Sequence, residues 1–60
     1  MNVFLALRVH ETEVLGVFAT LEEALAIRPD EVDEYIVGHE TRLRSYGADG
    51  KVWWENGRHV

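Results

Sequence analysis

His10, His39 and His59 are the side chains of this 60-residue chain best suited to proton transfer or metal ligation. With Glu11, Glu13 or Glu40 they could hold a metal ion, but zinc needs three or four ligands that converge on one point. Their spacing matches no helical ligand pair of the HExxH kind, and the chain has no cysteine to supply a thiolate. They are read as surface histidines, and no metal or cofactor is expected. His10 and Glu13, facing each other at the end of a hairpin, could form an acid–base pair. A catalytic pair works in a cleft that shifts its pKa values, whereas a hairpin end is open to water and leaves only a weak cross-strand contact. Ser45 is the single serine, and the chain contains no nucleophile elbow or phosphate-binding glycine loop. No catalytic residue is assigned, and a non-enzymatic protein is expected.

Two other constellations point to binding. The C-terminal third holds Arg42, Arg44, Tyr46, Trp53, Trp54 and Arg58 in a short span. Trp, Tyr and Arg dominate the energetic centres of protein interfaces, so these six are candidate anchors for a protein partner. Neighbouring strand residues point to opposite faces, so one of Trp53 and Trp54 is expected in the core and the other at an interface. The second constellation is the acidic run Asp30, Glu31, Asp33 and Glu34, with Glu22, Glu23 and Glu40 as possible neighbours. It could imitate a phosphate track and occupy a nucleic-acid-binding protein; the plainer reading is a solvated face that keeps a small domain soluble.

The elements that carry these residues follow from pattern. Val3 to His10 and Glu13 to Ala19 read as strands joined at Glu11-Thr12 in an antiparallel hairpin. That loop sets Val9 opposite Val14, Leu7 opposite Gly16 and Leu5 opposite Phe18. It leaves Phe4, Leu15 and Val17 on a second, mixed face, a candidate self-association surface. Thr20-Leu21-Glu22-Glu23 is a capping box, in which Thr20 accepts from the Glu23 N–H and Glu23 reaches back to the Thr20 N–H. The helix must end near Arg28, because Pro29 disfavours helix at the residue before it. Asp30 to Glu34 reads as an acidic turn, Glu34 to Leu43 as a strand with Gly38 as a bulge, and Tyr46 to Gly50 as a loop. Val52 to Glu55 and Arg58 to Val60 read as a hairpin around Asn56-Gly57. The expected fold is one α+β domain over residues 1–60: an antiparallel sheet with one short helix on one face, in the order ββαβ plus a C-terminal hairpin.

Composition sets the outer bounds. The net charge is −5, with six basic and eleven acidic residues. Residues 1–40 carry −7 and residues 41–60 carry +2, so the basic end is too sparse to clamp nucleic acid. No apolar run reaches the ~18 residues of a membrane span, and no secretory leader pattern is present. A soluble cytoplasmic domain is expected. So short a chain buries only about 60% of its unfolded surface, and without disulfides it gains most from self-association or a partner.

At Gly16-Val17-Phe18-Ala19-Thr20-Leu21-Glu22-Glu23-Ala24, followed by Val32-Asp33-Glu34-Tyr35, the chain resembles a group of small phage-encoded ββαβ domains of unknown function. The resemblance covers about residues 2–40. It implies a phage or prophage accessory protein acting in the host cytoplasm, with no catalytic residues to carry over. The combined expectation is an interaction module that binds a host or defence protein and inhibits or redirects it, and that forms a homodimer. An acidic nucleic-acid mimic and a self-assembling structural subunit are the alternatives.

Overall fold

The computed structural model describes residues 1–8, 13–28 and 30–60. The strands are β1 (Asn2–Leu7), β2 (Val14–Phe18), β3 (Val32–Ile36), β4 (Arg42–Tyr46), β5 (Val52–Glu55) and β6 (Arg58–His59), with α1 (Leu21–Ile27) between β2 and β3. They form one antiparallel sheet in the order β2-β1-β3-β4-β5-β6. The fold is α+β with the sheet dominant. No helix among the described residues is long and apolar enough to cross a membrane.

Capping starts α1. The Thr20 hydroxyl accepts from the Glu23 N–H at 3.2 Å. The return bond differs from the expected one: the same hydroxyl donates to the Glu23 carboxylate at 3.0 Å. The helix stops at Arg28, whose φ of −141° is extended and whose N–H closes the last turn on Ala24 O. Seven residues do not make a stable helix alone, so α1 depends on the sheet. β2 and β3 run parallel with β1 between them, and α1 carries the chain across β1. A right-handed crossover, the hand such connections take, lays α1 on the face that holds Ala6 and Val32. Ala6, Ala24 and Val32 are fully buried, and these small side chains let helix and sheet approach closely.

Register assigns the two faces, because residues directly opposite share a side. Phe4 lies opposite Phe18 and Glu34, Ala6 opposite Gly16 and Val32, and Val32 opposite Tyr46. These occupy the helix-covered face. Leu5 lies opposite Val17 and Asp33, Asp33 opposite Ser45, Ser45 opposite Trp54 and Trp54 opposite His59. These occupy the second face, with Val3, Tyr35 and Arg42.

Three expectations need correction. The first hairpin departs from the expected register: Leu7 meets Val14, two residues from the expected Gly16, and past an irregularity at Leu15 the offset is one residue, with Leu5 meeting Val17 and Phe4 meeting Phe18. A one-residue slip exchanges faces, so Phe4 and Val17 lie on opposite sides and the expected self-association face of Phe4, Leu15 and Val17 does not exist as one surface. Val9 and the Glu11-Thr12 turn lie outside the described residues. Next, Glu34 to Leu43 is two strands: His39 N–H bonds Ile36 O at 2.9 Å, and Gly38, at φ +87°, supplies the positive φ of a type II turn. Gly38 is therefore a turn residue and Tyr46 a strand residue. Third, the acidic run is no patch. Asp33 and Glu34 sit inside β3, each 3% exposed and on opposite faces, while Asp30 is exposed and Glu31 half-buried. The C-terminal hairpin stands as expected and joins the main sheet through β4. Its Asn56-Gly57 turn has φ of +49° and +92°, the pair a type I′ turn requires.

Candidate interaction surface

The buried acids organise two side-chain clusters, one on each face. On the helix-covered side Glu34 accepts from Tyr46 Oη at 2.6 Å, Arg44 Nη1 at 3.1 Å and Asn2 Nδ2 at 2.5 Å. Arg44 Nε also reaches Glu55 at 2.6 Å, and the Phe4 and Tyr46 rings are 6.1 Å apart. Burial alone would push Glu34 upward; the hydrogen bonds from Tyr46, Arg44 and Asn2, and the Arg44 charge, outweigh it and hold the carboxyl below its ordinary range. Burial and the bond to Glu34 push the Tyr46 phenol up to about 12. The bonds to Glu55 and Glu34 raise Arg44 above its usual value. Tyr46 and Arg44, expected as partner anchors, are thus engaged within the fold.

The second face carries the other cluster. Ser45 Oγ donates to Asp33 Oδ1 at 2.7 Å, and Arg42 Nη1 lies 3.5 Å from Asp33 Oδ2. The Arg42 guanidinium carbon is 4.1 Å from the centroid of Trp54 and 5.9 Å from that of Trp53. Strict alternation would send these tryptophans to opposite faces. A register shift prevents it: Tyr46 pairs with Val52 and Ser45 with Trp54, so Trp53 is an extra residue in β5. The bulge brings both rings to one arginine. Trp53 is 37% exposed, and its ring lies 5.7 Å from His59.

The remaining expected residues disperse. Arg58 is exposed on β6, opposite Glu55. Leu15 and Val17 are exposed on β2. His39 is exposed beyond the Gly38 turn. His10 and Glu11 lie outside the described residues, and Glu13 forms an ion pair with Arg8. Among the described residues no three metal-ligating side chains gather.

Sequence reasoning named Arg42, Trp53 and Trp54, which the structure brings together, but it put Asp33 in an acidic surface run rather than beside Arg42 and did not connect Ser45 to it. Pairing β3 with β4 would have revealed both links, since it sets Asp33 opposite Ser45 and Glu34 opposite Arg44. The accessible chemistry of this end of the sheet is aromatic and cationic: Trp53 is exposed beside the half-buried Trp54 and Arg42. No family model, curated protein or solved structure matches the chain.

Proposed function

We propose that the protein is a non-catalytic binding module that docks a partner protein through Trp53, Trp54 and Arg42. One observation carries the reading: a β-bulge gathers both tryptophans around an arginine that Asp33 anchors. Such a cluster offers large rigid contact area at small entropic cost, because its side chains are ordered before the partner arrives. The resemblance to phage domains makes a bacterial host or defence protein the target class, with inhibition by surface occupancy as the mechanism. The acidic-mimic alternative loses support, because its two central carboxylates are buried.

The test is capture from a bacterial host extract with the wild-type chain and with Trp53→Ala, followed by affinity measurement on the recovered protein. Truncating an interface anchor costs about 2 kcal/mol, or about 30-fold in Kd. A partner lost with Trp53→Ala and retained in high salt supports aromatic docking. A partner indifferent to Trp53→Ala, or released steeply by salt, overturns it.

A further inference from the structure

The two edges of the sheet are unlike. β6 is a two-residue strand, Arg58–His59, both residues polar. β2 has five residues, Val14 to Phe18, with no charge and no proline. Sheet edges are normally protected by charge, proline, extreme shortness or a bulge, and β2 has only the last of these, at one end. Its irregularity at Leu15 leaves Gly16 to Phe18 in regular pairing with β1.

The hydrogen-bond phase of that segment is fixed by its neighbours. Val37 N–H bonds Met1 O, and Leu7 N–H bonds Glu31 O. Met1, Val3, Leu5 and Leu7 therefore turn their peptide groups toward β3, and Phe4 and Ala6 turn theirs toward β2. Val17, opposite Leu5, sits in the non-hydrogen-bonded phase with β1, so its own N–H and C=O point out from the free edge. Its side chain is 60% exposed, at the end of a stripe that continues inward through Leu5.

We infer that β2 pairs antiparallel with β2 of a second copy about a two-fold axis through Val17. The two Val17 residues would exchange both peptide hydrogen bonds, with Gly16 of each chain opposite Phe18 of the other. The second copy is the favoured occupant because the segment is its own complement. The two half-exposed valines join into one apolar stripe, Leu5–Val17–Val17–Leu5, across the axis. In a chain of net charge −5, this is the edge where two copies meet without a like charge on either strand. The contact is short, three residues from each chain, so the dimer is weak and should populate toward the millimolar end of the concentration range. It leaves the tryptophan cluster, toward the opposite edge, free for the partner proposed above.

The experiment is solution mass by light scattering and sedimentation from micromolar to millimolar protein, on wild type, Val17→Lys and Val37→Lys. Val37 is an equally exposed valine in the β3–β4 turn, so Val37→Lys controls for added charge. Wild type and Val37→Lys should move from 6.9 kDa toward twice that mass, and Val17→Lys should stay monomeric with an unchanged circular dichroism spectrum. Should Val17→Lys fail to fold, Val17→Cys decides instead. In this cysteine-free chain, mild oxidation should cross-link Val17→Cys, whose Cα atoms would stand about 5.5 Å apart, much faster than Val37→Cys. A monomer at every concentration, a dimer insensitive to Val17→Lys, or equal cross-linking of the two cysteine variants overturns the proposal.

Discussion

The guanidinium of Arg42 stacks 4.1 Å from the centre of the Trp54 ring while its Nη1 faces the buried Asp33 carboxylate. The arginine thus bridges an aromatic surface and an interior charge. Arg42→Ala should destabilise the fold by about 2 kcal/mol, combining the lost cation–π contact with an under-compensated buried carboxylate. Arg42→Lys should recover only part of this, since a compact ammonium does not reproduce the planar stack. Urea unfolding of the three proteins checks the order.

Glu34 ties acid stability to one carboxylate. Its pKa is depressed in the folded chain, so its contribution is present above the ordinary value of 4.5 and is lost as pH falls through the lower folded value. Stability should therefore decline below about pH 4.5, and Glu34→Gln should flatten that decline while lowering stability at pH 7. Unfolding free energies between pH 7 and pH 3 provide the measurement.

Tyr46 carries the opposite sign. Its neutral phenol is favoured by the fold and its pKa is raised to about 12. The contribution is complete below the ordinary value of 10 and disappears as pH rises from about 10 toward 12. Phenolate absorbance should show a tyrosine titrating near 12 that Tyr46→Phe removes. Tyr46→Phe should also cost about 1–2 kcal/mol, since Glu34 loses a donor it cannot replace while buried.

Thr20 tests how much of α1 depends on its first turn. Thr20→Ala removes both bonds to Glu23 and should cost about 1 kcal/mol. Thr20→Ser retains the hydroxyl and should cost much less. Thermal unfolding by circular dichroism separates the two.

What the sequence made legible were the features decided by a few adjacent residues. The Thr20 cap, the helix end before Pro29 and the Asn56-Gly57 turn each depend on local conformational preference and stand where expected. The misreadings share a different origin. Asp33 and Glu34 look solvated in a linear reading, because charges are rarely buried unless paired; their partners, Arg42, Arg44, Ser45 and Tyr46, come from β4, which the linear reading splits between the end of a strand and a loop. The first hairpin slipped because an irregularity at Leu15 changes phase without leaving a mark in composition. The same device, at Trp53, made the tryptophan pair converge when alternation predicted divergence.

The strand order has a kinetic consequence. Each pairing except that of β1 with β3 joins strands adjacent in sequence, and such contacts close quickly. The β1–β3 seam must wait for everything between them, the whole of β2 and α1, to be gathered in, at a loop-closure cost that short hairpins do not face. The meander from β3 to β6 joins strands adjacent in sequence, while β1 is the strand whose final place depends on the most chain. Substitutions in the early-forming β5–β6 hairpin should therefore slow folding, whereas those along the late-closing seam, such as Leu5→Ala, should chiefly hasten unfolding. β1 is made before β2 and α1 and is locked in place after them.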